Sequence, residues 1–148
     1  MPVNTDKQGS SYRLPRPYEV SREAIAEFAR ATGARADCHV DAEAARTLGY
    51  PDVIAPTTFA VIVAQRSESA YIRDPESGID FSRVVHGSEQ FTYTRPIVAG
   101  DRLDATTHVD GVRAAGSNAM ITTRTEITDA EEAPVVTVTS TIVVRGDV

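Results

Sequence analysis

The spacing of hydrophobic residues along the chain changes once, near residue 80. Before that point apolar residues recur at helical intervals; after it they alternate with polar ones. Ser21 reads as an N-cap with Glu23 in the first turn, and Ile25, Phe28 and Ala29 share one helical face that Gly33 terminates. Asp41 caps a short helix over residues 42–48, stopped by Gly49. After a loop holding Pro51 and Pro56, Thr57 or Thr58 caps a longer helix that runs to about Tyr71. Its first half, Phe59-Ala-Val-Ile-Val-Ala64, is apolar all round and should be buried on all sides. The following Gln65-Arg-Ser-Glu-Ser69 is polar and should emerge into solvent.

Beyond the change of period, strands are expected over 81–95, 103–112, 119–127 and 135–144. Turns are expected at Ala115-Gly-Ser-Asn118 and Asp129-Ala-Glu-Glu-Ala-Pro134. Tyr18-Glu-Val20 adds a short strand, and residues 1–11 read as a frayed, flexible leader. Helices first and antiparallel strands afterwards make an α+β chain. A helix apolar on all sides needs a cover, which a curved antiparallel sheet of five strands wrapped round it supplies. The open edge of such a sheet is a place for a second chain.

At 148 residues the chain is expected to be a single domain spanning 1–148. The net charge of −6 and the single lysine, Lys7, give no basic field, so nucleic acid is not expected as a partner. No apolar run is long enough to cross a bilayer, and residues 1–11 lack an apolar signal region. A cytoplasmic protein without a membrane partner is therefore expected. Cys38 is the only cysteine, which leaves no intrachain disulfide. His39, His86 and His108 lack metal-ligand spacing and no glycine-rich phosphate loop occurs, so no metal or other cofactor is expected.

Three segments carry a resemblance: Gly49-Tyr-Pro-Asp-Val-Ile-Ala-Pro-Thr-Thr-Phe59, Phe81-Ser-Arg-Val-Val-His86 and Phe91-Thr-Tyr-Thr-Arg-Pro-Ile-Val-Ala-Gly-Asp-Arg-Leu103. With them the chain resembles the MaoC-like hot-dog dehydratases and hydratases, specifically the stand-alone N-terminal MaoC-type (FAS1-like) dehydratase subunits of actinobacterial type. The resemblance implies the hot-dog fold and acid/base chemistry on an acyl-CoA or acyl-ACP thioester. It also implies a homodimer, or a heterodimer with a second hot-dog chain. Active members carry Gly-Asp-x-Asn-Pro-x-His-x-Asp. Laid on this chain, Gly33, His39 and Asp41 match, while Ala34, Ala36 and Asp37 stand where the Asp, Asn and Pro would be.

Dehydrating a 3-hydroxyacyl thioester needs a base for the α proton, an acid for the leaving hydroxyl and a donor for the enolate oxygen. His39 is the candidate acid/base group, since imidazole titrates near neutral pH. Asp37 is the candidate acid from two residues away, because residues i and i+2 share a side in an extended segment. The resemblance implies a backbone N–H at the start of the long helix, from Thr57 or Thr58, as the enolate donor. His86 on its strand is a candidate for the substrate pocket or the dimer partner. The reading is a dehydratase or hydratase. The alternatives are a catalytically weak acyl-binding subunit of a heterodimer and a hot-dog thioesterase or ligand-binding protein. A thioesterase would use a carboxylate on the central helix, where Glu68 is the only acid.

Overall fold

In a computed structural model describing residues 2–146, the two periods fold into two layers. The elements are β1 (Ser11–Arg13), β2 (Tyr18–Glu19), α1 (Arg22–Thr32), α2 (Ala42–Thr47), α3 (Ala60–Ile72), β3 (Val84–Tyr93), β4 (Arg102–Ala115), β5 (Asn118–Thr128) and β6 (Pro134–Val144). The strands form one antiparallel sheet in the order β1-β4-β5-β6-β3, with β2 pairing the start of β4. α3 packs against the inner face of this sheet, which is the α+β hot-dog arrangement.

The caps are those the sequence predicts. Ser21 Oγ accepts from the Ala24 N–H at 3.1 Å, Gly33 ends α1 at φ 74°, and Asp41 accepts from the Glu43 N–H at 2.9 Å. Gly116, at φ 63°, makes the two-residue turn between β4 and β5.

Three expectations are corrected. The leader is not frayed over its described part. The Asn4 N–H donates to the Ser77 carbonyl and the Gly9 N–H to the Val109 carbonyl, both at 2.8 Å. Lys7 pairs with Asp74 and Glu76, and Ser11 opens a sixth strand. Met1 lies outside the described residues. Neither Thr57 nor Thr58 caps α3 by its side chain; a turn closed by Phe59 N–H to Pro56 carbonyl (2.9 Å) leads into the helix at Ala60. Finally, the two halves of α3 differ less in burial than expected. Val61 and Ile62 are only half-buried, whereas Ser67 and Glu68 are sealed inside.

That last correction follows from helical spacing. Ala60, Val63, Ala64, Ser67, Glu68, Tyr71 and Ile72 form one continuous stripe facing the sheet. Opposite the polar part of that stripe the sheet is polar too. Glu89, Ser140 and Thr123 are register neighbours on β3, β6 and β5, and Thr107 faces Thr125 across β4 and β5. A polar band thus crosses the core, with one apolar cluster around Phe59, Leu103 and Val138 and another around Tyr71, Ile121 and Ile142.

Candidate functional site

The two segments richest in family residues meet in space. The Ala55 N–H donates to the Ile97 carbonyl (2.8 Å), the Ala99 N–H to the Val53 carbonyl (3.0 Å), and Ile54 bridges Val98. Arg95 fixes the second segment by pairing with Asp101 at 2.8 Å and Asp129 at 3.3 Å, while the Asp101 carboxylate accepts from the Val98 N–H. The loop between Gly49 and Phe59 is therefore a supported platform beside the start of α3.

His39 is tied to that platform. The Ile54 N–H donates to the Cys38 carbonyl at 3.0 Å, and His39 Nδ1 lies 2.6 Å from the Ile54 carbonyl oxygen. A carbonyl can only accept, so Nδ1 carries the proton and the neutral ring presents the lone pair of Nε2. This is the tautomer a general base requires.

Asp37 does not join it. The expected pairing assumed an extended segment, but Asp37–His39 is a 3-10 turn, in which residues two apart point to different sides. Asp37 is exposed and its carboxylate makes no hydrogen bond or ion pair among the described residues. Ala34 is half-buried just after the α1 cap, its N–H donating to the Ala29 carbonyl, and offers a methyl group where the motif has a carboxylate. Asp41 is occupied as the cap of α2.

Thr57 and Thr58 are exposed, three and four residues after the carbonyl that holds His39. Their N–H groups donate to no acceptor among the described residues, and both precede the first turn of α3, where the helix dipole favours negative charge. Tyr93 braces them: its hydroxyl donates to the Thr57 carbonyl at 2.5 Å. Burial pushes Tyr93 up to about 12, so it remains a donor. Sequence reasoning did not single out Tyr93; its inward position in the β3 alternation was the available signal.

His86 is placed elsewhere. It stands on β3 with Nε2 3.5 Å from Glu68 Oε1, and Glu68 follows Ala60 by about 12 Å of helix. Glu68 is 1 % exposed; its Oε2 accepts from Thr123 Oγ1 at 2.6 Å, while Oε1 is buried without a hydrogen-bond partner. Burial raises its pKa above the ordinary carboxyl range. The hydrogen bond from Thr123 opposes the rise, the Glu89 charge adds to it, and the neighbouring His86 opposes it. A carboxyl whose folded pKa is raised contributes stability present at acid pH and lost as pH rises through that folded value. Glu68→Gln is therefore expected to leave stability unchanged near pH 4 and to raise it by about 1–3 kcal/mol at pH 8. Urea unfolding at the two pH values measures the difference; an equal change at both would remove the titration from the account.

Among the described residues no group of three or more His, Cys, Asp or Glu side chains could hold a metal ion, and no helix is long and apolar enough to cross a membrane.

Comparison with known proteins agrees with this fold. Residues 8–138 match the family model "FAS1-like, dehydratase domain region". A UPF0336 protein of Clavibacter michiganensis subsp. michiganensis is 50% identical over 147 residues, covering 99% of each chain. Among solved structures, the C-terminally truncated HadBC (3R-hydroxyacyl-ACP dehydratase) complex from Mycobacterium tuberculosis superposes with a TM-score of 0.87 at 30% identity, over 95% of this chain and 99% of that one. A MaoC-like dehydratase matches with a TM-score of 0.87 at 33% identity, over 95% of this chain and 42% of the other. With its sheet wrapped round α3 and the matching segments joined beside the helix start, the chain belongs to the MaoC-like hot-dog dehydratase family.

Proposed function

We propose that the whole chain, acting as one hot-dog unit, is a subunit of an (R)-3-hydroxyacyl-thioester dehydratase, equally able to run the reverse hydration of a 2-enoyl thioester. The carrier is CoA or ACP, and the setting is the cytoplasm. The observation that carries this reading is the His39 ring, whose Nδ1 is held by the Ile54 carbonyl at 2.6 Å and whose Nε2 is left uncommitted, together with the unengaged N–H groups of Thr57 and Thr58, three and four residues after that carbonyl. His39 takes the C2 proton, and the Thr57 and Thr58 N–H groups stabilise the enolate that forms on the thioester oxygen. The C3–O bond then breaks as an acid protonates the departing hydroxyl, giving the enoyl thioester and water.

The acid is the missing part. Ala34 cannot supply it and Asp37 faces away, which favours a second hot-dog chain with the intact motif as the source. Hydrolysis of the thioester by a helix carboxylate fits less well, because Glu68 is sealed under the sheet. The test is hydration of crotonyl-CoA and longer enoyl thioesters by this chain alone and after co-expression with such a partner. Activity is expected only in the pair. Full activity of the chain alone would instead support a self-sufficient enzyme, and inactivity of both across chain lengths and carriers removes the dehydratase reading.

A further inference from the structure

Three arginines from three parts of the chain line one groove of about 430 Å³, together with Pro17, Tyr18 and Glu19. Arg16 comes from the loop between β1 and β2, where Pro15 and Pro17 stiffen the backbone on either side of it. Arg102 opens β4, and Arg66 is exposed on α3. Arg66 stacks over the Tyr18 ring, 4.9 Å from its centroid, which holds the guanidinium in place.

These guanidiniums have no anion to pair with. Elsewhere on the chain Arg13, Arg22, Arg95 and Arg124 each pair with an aspartate. Among the described residues Arg16 and Arg102 form no hydrogen bond or ion pair, and Arg66 has only the Tyr18 ring. Glu19 stands directly opposite Arg102 in the β2–β4 register, yet no ion pair joins the two. On a chain of net charge −6, three unpaired guanidiniums round one concavity make a local positive site that an anion would fill.

The groove also lies close to the start of α3. Tyr18 packs edge-on against Phe59, with centroids 6.2 Å apart, and Phe59 directly follows Thr57 and Thr58. Tyr18 thus touches Arg66 on one side and, on the other, the residue next to the proposed enolate donors.

We propose that this groove binds the phosphates of CoA, at the carrier end of the thioester substrate. The inference rests on the acyl-thioester reading above and adds the identity of the carrier. In an acyl-CoA the pyrophosphate sits at the far end of a flexible pantetheine arm from the thioester. With the thioester oxygen at the Thr57 and Thr58 N–H groups, the arm runs past Tyr18 and delivers the phosphates to Arg16, Arg66 and Arg102. Guanidinium is the side chain best matched to phosphate, because its planar fork donates to two oxygens at once. A protein carrier fits less well. Beyond Pro17 the surface turns acidic: Asp104, Glu126, Asp129 and Glu132 line the neighbouring groove, and Arg13 there is already paired with Asp104. A protein would have to cover that rim, whereas CoA needs only the groove.

The experiment measures binding of CoA to this chain by titration calorimetry. CoA is expected to bind and pantetheine, which lacks phosphate, is not; the affinity for CoA should fall with added salt. Arg16→Ala, Arg66→Ala and Arg102→Ala should each weaken CoA binding about tenfold, the lower end of what a hydrogen bond to a charged group is worth. Arg66→Lys should recover little of that loss, since an ammonium cannot hold phosphate with a fork. Arg113→Ala is the control: it lies on the same strand as Arg102, roughly 35 Å away, and should leave binding unchanged. In the active pair of the preceding test, the three alanine substitutions should raise KM for crotonyl-CoA and leave the effect off kcat. No measurable binding of CoA, equal binding of pantetheine, or indifference to the three substitutions overturns the inference. A KM increase confined to an enoyl-ACP substrate also overturns it, because the groove would then serve a protein carrier. An active pair whose CoA binding ignores the arginines removes the groove alone and leaves the dehydratase reading standing. Arginine-dependent CoA binding in a pair inactive on every thioester removes the dehydratase reading and leaves the phosphate site.

Discussion

In the paired enzyme, His39→Ala is expected to lower turnover of enoyl-thioester hydration by about 10²–10⁴-fold, the range for losing a general acid/base group. Asp37→Asn, two residues away, should change nothing measurable. The contrast rests on geometry. Nδ1 of His39 is committed to the Ile54 carbonyl, which fixes the ring and leaves Nε2 uncommitted. The Asp37 carboxylate projects into solvent from another side of the same 3-10 turn. If His39 acts on the proton in flight, as proposed, its loss should fall on kcat and kcat/KM alike and not on KM alone. Steady-state kinetics with crotonyl-CoA separates these. If Asp37→Asn costs as much as His39→Ala, the segment closes on substrate into a shape that brings the carboxylate back, and the acid need not come from a partner.

Much of this fold could be read from the sequence because its local signals agree with one another. Ser21, Gly33 and Asp41 cap the helices where expected, and the alternation after residue 80 yields four long strands with the predicted turns. The error over the burial of α3 comes from treating composition as position. The polar run from Gln65 to Ser69 looks solvated when its residues are averaged. On a helical wheel, however, Ser67 and Glu68 continue the stripe set by Ala60, Val63 and Ala64. The same wheel would have revealed a buried carboxylate on α3. The inward threonines and Ser140 among the strand valines would have indicated its company.

The frayed leader and the Asp37–His39 pairing failed for a different reason: both depend on contacts distant in sequence. Nothing near Lys7 announces Asp74 and Glu76, and nothing near Asp37 announces that the chain turns there instead of running extended. The sequence places His39 in a polar segment between two helices, but its orientation belongs to Ile54, fifteen residues on. Likewise His86 lies within a matched segment, yet β3 carries it to the far half of α3, to Glu68.

Phe59→Ala should be the most damaging single core substitution and should also disturb the site. The ring is fully buried and packs edge-on against Phe28, with centroids 5.5 Å apart, and against Tyr18 at 6.2 Å. It thus joins α1, β2 and α3 at one point. Truncating a buried phenylalanine costs about 3–5 kcal/mol, which for a chain of this length lowers Tm by roughly 6–20 °C. Phe81→Ala is the control: that ring is 70% exposed, and its removal should stay within about 0.5 kcal/mol. Thermal unfolding of the two variants tests the comparison, and equal losses would refute this account of the core. The effect on catalysis follows from chain position. Phe59 directly succeeds Thr57 and Thr58, and its own N–H closes the turn on Pro56. Without the ring, the two donor N–H groups lose the anchor that fixes them at the start of α3. Activity assayed well below the variant's Tm should therefore fall further than the unfolded fraction explains. That excess loss separates a site held in place by its core from one that merely sits above it.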